Sequence, residues 1–108
     1  MFYCYKSIIL IGVGVYMLRV VLVDDEQLAL DELSFILSKN SKIEIIGKFL
    51  SPLSALEFIK ESKPEIAFLD IEMPELDGFA MAAELAKLDF QVCIVFATVL
   101  DKYAIKAL

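Results

Sequence analysis

From residue 20 onward the apolar residues fall in short unbroken runs, and each run stops at an acidic or hydroxyl residue. Val20-Val21-Leu22-Val23 ends at Asp24-Asp25-Glu26, Ile66-Ala67-Phe68-Leu69 ends at Asp70, and Val92-Cys93-Ile94-Val95-Phe96-Ala97 ends at Thr98. Runs of this length with polar stops predict strands buried on both faces. A fourth segment, Ile43–Phe49, alternates in part and suits an edge strand with one solvated side. Helical spacing fills the gaps. Gln27–Ser38 places Ala29, Leu33, Ile36 and Leu37 on one face. Ser51-Pro52 is a start signal for a helix to about Ser62 that buries Leu53, Leu56 and Ile59, with Phe58 beside them. Asp77-Gly78 precedes a helix to about Leu88 with Phe79, Ala82, Ala83 and Ala86 on its packing face, and 101–108 begins another with Tyr103 as a core residue.

Strands alternating with helices at this spacing imply right-handed crossovers and an α/β fold, a doubly wound parallel sheet covered on both faces. With the first strand central and the second and third flanking it, the carboxyl ends of the first and third meet where the winding reverses. In open parallel sheets that is where ligands bind. Asp24 and Asp25 then lie beside Asp70. Three clustered carboxylates repel one another, so either some are protonated or a cation sits among them. An all-oxygen site with few protein ligands suits Mg²⁺. Each residue alone has a plainer explanation: Asp70 as a turn cap, Asp24 and Asp25 as a solvated helix N-terminus, Thr98 as an ordinary strand end.

Composition narrows the function classes. A chain of 108 residues has room for one domain, and 59% hydrophobic residues are too many for a disordered one. No apolar run approaches the roughly 20 residues of a spanning helix, so no membrane partner is expected. The net charge of −6 supplies no basic patch for direct nucleic-acid binding. Histidine is absent, which removes His-based triads and most zinc sites. Cys4 and Cys93 form no spaced motif, and Cys93 within its apolar run reads as a buried thiol suited to a reducing cytoplasm. Residues 1–16 stand apart, with Lys6 ahead of an apolar run broken by Gly12 and Gly14. This hints at a signal peptide, but no small-residue cleavage site follows. An upstream extension outside the domain, with the domain starting at Met17, is the preferred reading.

The acidic pair Asp24-Asp25, the segment Phe68-Leu69-Asp70-Ile71-Glu72-Met73-Pro74 with Asp77-Gly78, and Val95-Phe96-Ala97-Thr98 together resemble the receiver domain of bacterial two-component response regulators. The resemblance implies a flavodoxin-like receiver fold with strand order 2-1-3-4 over residues 17–108. It implies phosphorelay signalling in the cytoplasm, as a phosphoacceptor for a sensor histidine kinase and not as an enzyme. By the same resemblance Asp70 is the phosphoacceptor, and Asp25 with Asp70 binds Mg²⁺. Asp24 holds the ion through water, Glu72 contributes its backbone carbonyl, and Thr98 supplies the switch hydroxyl.

The family also has a fifth strand carrying a lysine, and a fifth helix, neither of which is found before Leu108. Lys102 and Lys106 do not fit that position. The expectation is therefore a receiver truncated before its fifth strand, with the fourth strand an exposed apolar edge and an incomplete dimerisation surface. An inactive fragment or binding module lacking the switch is the alternative. An FMN carrier of similar topology is rejected, because Asp24-Asp25-Glu26 would repel its phosphate.

Overall fold

The computed structural model describes residues 17–97 and the backbone of a short strand near the N-terminus. The elements are β1 (Phe2–Cys4), β2 (Leu18–Val23), α1 (Gln27–Ser38), β3 (Ile43–Phe49), α2 (Pro52–Ser62), β4 (Ile66–Leu69), α3 (Gly78–Ala86) and β5 (Cys93–Ala97). The sheet order is β1-β5-β4-β2-β3. β2 through β5 form the expected parallel sheet with β2 flanked by β3 and β4, and β1 runs antiparallel along β5. Residues 1–16 were set aside by the sequence pattern, yet Phe2–Cys4 pairs with β5 in the register Phe2↔Ala97, Tyr3↔Phe96, Cys4↔Val95. The outer edge of β5 is thus covered over those positions and not bare as expected.

The period-2 alternation of the strands divides the core into two layers. Val21, Val23, Ala67, Leu69, Ile94 and Phe96 face α2 and α3. Val20, Leu22, Ile66, Phe68, Cys93 and Val95 face α1 through Leu30, Leu33 and Leu37. Burial on both faces is why β4 reads as an unbroken apolar run, and all four of its residues are buried. β3 lies at the far edge with every residue half-buried or exposed, as its mixed pattern predicts. Ser51 caps α2, accepting a hydrogen bond from the Ser54 amide at 3.4 Å, with Pro52 at the first helical position.

Helix existence follows the sequence, but helix rotation does not. In α3 the buried residues are Gly78, Met81, Ala82 and Leu85, whereas Ala83 and Ala86 are exposed and Phe79 is exposed on one side, with its ring centroid 5.0 Å from that of Phe96. The helix is rotated by about one residue, some 100°, from the expected face. Gly78 accounts for this, because its backbone packs against that of Asp70 and Ile71 and so must face the sheet. In α1 the stripe is Leu30, Leu33 and Leu37, while Ile36, about 120° around the helix from Leu30, is exposed. In α2, Pro52, Ala55 and Ile59 are buried and Leu53 is exposed. Cys93 is buried as expected, but it is disulfide-bonded and not a free thiol, which removes it from any inference about compartment. Among the described residues no helix is long and apolar enough to cross a membrane.

Candidate functional site

Each acidic residue is placed by the strand it terminates. β2 and β4 are parallel neighbours in register from Val20↔Ile66 to Val23↔Leu69, so residues 24 and 70 come next at the same end. Backbone hydrogen bonds carry the ladder one step further: the Asp70 N–H donates to the Val23 carbonyl at 3.0 Å, and the Asp24 N–H to the Phe49 carbonyl at 3.1 Å. The result brings together the three carboxylates expected from the sequence. Asp24, Asp25 and Asp70 each offer an oxygen within 4.8 Å of the others.

Their environments differ. Asp70 is 5% exposed, Asp24 is half-buried, and Asp25 is exposed. The Ile71 N–H donates to Asp70 Oδ1 at 2.9 Å, which orients the side chain. Burial pushes the Asp24 carboxyl up to about 6. The Glu26 N–H, donating to Asp24 Oδ1 at 2.9 Å, pulls the other way, while the charges of Asp70, Asp25 and Glu26 add to the rise. A carboxyl with such raised proton affinity, packed against two others, is an electrostatic site that a hard cation would relieve. The donors are all oxygen, which fits Mg²⁺ better than any soft metal.

Beside the cluster lies an open cleft of about 380 Å³ lined by Asp25, Glu26, Glu72, Met73, Pro74 and Asp77. Glu72, to which the resemblance assigns a backbone carbonyl ligand, is one of the residues lining this cleft. Glu26, Met73, Pro74 and Asp77 are wall residues not singled out for the site. The signal for Met73, Pro74 and Asp77 in the sequence is the Pro and Asp-Gly punctuation after β4, and for Glu26 it is the acidic stop after β2. Asp77 also caps α3, accepting from the Ala80 N–H at 2.8 Å, and the Gly78 N–H donates to the Ile71 carbonyl at 2.7 Å. Within this loop the Leu76 N–H donates to the Pro74 carbonyl at 2.7 Å across Glu75, whose φ is +70°. That is a tight γ-turn of the rarer, strained hand. The Ser51 hydroxyl donates to Glu75 Oε1 at 3.4 Å, joining the loop to the start of α2. Nothing in the sequence marked Glu75, since Gly or Asn is the usual sign of a positive φ. Thr98, the expected switch hydroxyl, and Tyr103 lie outside the described residues.

The sequence profile described as the response regulator receiver domain matches residues 20–108. The chain is 45% identical over 91 residues, or 84% of its length, to the sensory transduction protein LytT of Bacillus cereus. It is 37% identical over 100 residues, 89% of its length, to the protein MrkE of Klebsiella pneumoniae. It spans 37% of the length of each of these two relatives. Among solved structures, the response regulatory domain of MrkE superposes with a TM-score of 0.70 at 37% identity, over 82% of this chain and 73% of that one. The signal receiver domain of the response regulator NarL from Mycobacterium tuberculosis gives a TM-score of 0.69 at 30% identity, over 73% and 64% of the two chains.

Proposed function

The chain belongs to the response regulator receiver domain family, and from that membership we propose that Asp70 accepts a phosphoryl group from a phosphohistidine of a sensor histidine kinase. The observation that carries this reading is the meeting of the Asp24, Asp25 and Asp70 carboxylates within 4.8 Å at the ends of two adjacent parallel strands. Asp70 is the buried member, held by the Ile71 N–H, and it serves as nucleophile. Its carboxylate oxygen attacks phosphorus as the bond to the imidazole nitrogen breaks. The nitrogen keeps that electron pair and is reprotonated, and an acyl phosphate remains on Asp70.

Asp25 and Asp70 would hold a Mg²⁺ ion directly, Asp24 through water and Glu72 through its backbone carbonyl. The ion supplies positive charge against the phosphoryl oxygens. The half-buried Asp24 contributes negative charge that makes the site selective for a cation. Thr98, the residue that follows Ala97 in the sequence, is assigned the hydroxyl that meets the phosphoryl group, in keeping with the family pattern. The domain is thus a signalling acceptor and not a turnover enzyme, and its acidic surface suits a protein phosphodonor better than nucleic acid.

Incubation with acetyl phosphate and Mg²⁺, followed by intact-mass spectrometry, tests the assignment. A single phosphoryl increment, lost in Asp70→Asn and released by hydroxylamine as an acyl phosphate, is expected. Undiminished labelling of Asp70→Asn would place the acceptor elsewhere.

A further inference from the structure

β3 carries an extra residue, and that residue re-aims the end of the strand. Val20 stands opposite Ile45 but Val21 stands opposite Gly47, so Ile46 forms a bulge. Residues directly opposite one another share a face of the sheet. Leu22 belongs to the layer that faces α1, and its partner beyond the bulge is Lys48. Val23 belongs to the layer that faces α2 and α3, and its partner Phe49 packs into that layer. Without the extra residue Lys48 would stand opposite Val23 and face α2. A lysine on an edge strand ordinarily serves to keep other strands away. Here the bulge turns it to the side of α1, where it shares a wall with the buried Leu30.

At that place lies an open cleft of about 490 Å³ between the starts of α1 and α2 and the end of β3. Its size falls in the range of small-molecule sites, which combine apolar walls with a few polar groups. Leu30, Phe49 and Leu50 supply the apolar wall, and Leu50 is left 48% exposed. Lys48 and Ser54 supply exposed polar groups. Among the described residues Lys48 makes no ion pair, and the Ser54 amide, not its hydroxyl, is the group that bonds to Ser51. The Phe49 carbonyl accepts the Asp24 N–H at 3.1 Å, so the cleft adjoins the acidic site. It differs from that site in kind, being lined by a cation and by no carboxylate.

We propose that this cleft binds a small monocarboxylate with an apolar body, at a ligand site separate from the phosphoacceptor. The carboxylate meets two donors, the Lys48 ammonium and the Ser54 hydroxyl. The body, an aromatic ring or a branched alkyl group, covers Leu30 and Leu50 and removes that apolar surface from water. Charge sets the ligand class. One cation balances one negative charge, whereas a chain of net charge −6 with three carboxylates at the neighbouring strand ends repels a polyanion. Nucleotides and sugar phosphates are therefore poor candidates.

Titration of the full chain with phenylbutyrate, followed by amide NMR, tests this. Acetate and phenylbutanol serve as probes that lack the body or the charge. Saturable shifts are expected at residues 27–30 and 48–54. Acetate should bind roughly tenfold more weakly or worse, for want of apolar burial. Phenylbutanol should bind about fivefold more weakly, the size of one partly exposed charge contact. Lys48→Met should weaken phenylbutyrate about fivefold and leave phenylbutanol unchanged, while Lys48→Arg retains binding. Lys48 is exposed on an edge strand, so these variants keep the fold. Absence of saturable shifts at residues 27–30 and 48–54 would overturn the proposal. So would equal binding of phenylbutyrate by Lys48→Met. The titration uses neither Mg²⁺ nor a phosphodonor, so neither result depends on whether Asp70 is phosphorylated.

Discussion

Gly78 packs its α-carbon against the backbone of Asp70 so closely that a Cβ added at Gly78 would overlap the Asp70 carbonyl oxygen and lie 3.0 Å from Ile71 Cα. The obstacle is main chain on both sides, and neither the β4 ladder nor the first turn of α3 can move aside cheaply. Gly78→Ala should therefore destabilise the domain by roughly 1–3 kcal/mol, the range for overpacking a tight site. It should also slow labelling of Asp70 by acetyl phosphate, because relief of the overlap moves the nucleophile. Urea unfolding and labelling rate measured on one preparation check both. Unchanged stability with unchanged labelling would mean that the approach is looser than described.

Asp24 makes stability depend on pH in an unusual direction. Its carboxyl is raised from 3.8 to about 6, so the folded chain binds more protons than the unfolded chain between those values. Without divalent cations, its contribution to stability is greatest below about pH 4 and is lost as pH rises through 6. The unscreened shift of about two pH units would be worth roughly 3 kcal/mol. Because Asp24 is only half-buried, solvent screening reduces this to roughly 1–2 kcal/mol. Asp24→Asn should accordingly stabilise the metal-free domain by about 1 kcal/mol at pH 7.5, with the gain fading toward pH 4. A denaturation series over pH in the presence of a chelator measures it, and an Asn variant equal to the parent at pH 7.5 would contradict it.

Divalent cations should reverse that penalty. At a Mg²⁺ concentration about 100 times its dissociation constant, stability should rise by about 2.7 kcal/mol. Asp25 is exposed and lines the cleft, so Asp25→Ala should cost little stability without metal yet abolish most of the Mg²⁺-dependent gain. Binding should weaken as pH falls through about 6, where Asp24 takes up its proton. Thermal unfolding with and without MgCl₂ reports all three effects, and an equal gain in Asp25→Ala would remove that residue from the site.

The loop that walls the cleft contains one residue under backbone strain. Glu75 has a φ of +70°, a conformation that costs a non-glycine residue on the order of 1 kcal/mol or more. Glu75→Gly relieves the strain but loosens the unfolded chain, so its net effect should lie between zero and about +1 kcal/mol. Glu75→Val, branched at Cβ, should cost roughly 1–2 kcal/mol at the same position. Comparison of the two variants by chemical denaturation isolates the backbone term. Equal stability of the Gly and Val variants would show that the turn opens at no cost.

What the chain's local pattern determined, and what it left to the fold, divide along the range of the interactions involved. The apolar runs ending in Asp24-Asp25 and Asp70 announced two buried parallel strands with acidic tips, because burial on both faces and a carboxylate stop are legible within a few residues. The helix start at Ser51-Pro52 was equally local, since a cap needs only its own first turn. Adjacency of β2 and β4, and with it the acidic cluster, was legible only on the condition of a central first strand, a position the tertiary pairing gives β2. Other features required contacts between distant segments. The rotation of α3 was set by Gly78 meeting Asp70 and not by the helix's own apolar residues, so a periodicity of alanines misplaced its buried face. The proton affinity of Asp24 depends on how much water the packed strand ends exclude, a quantity absent from any local run of residues. The pairing of Phe2–Cys4 with β5 joins segments about ninety residues apart through main-chain groups that every residue carries, so no side-chain pattern could announce it.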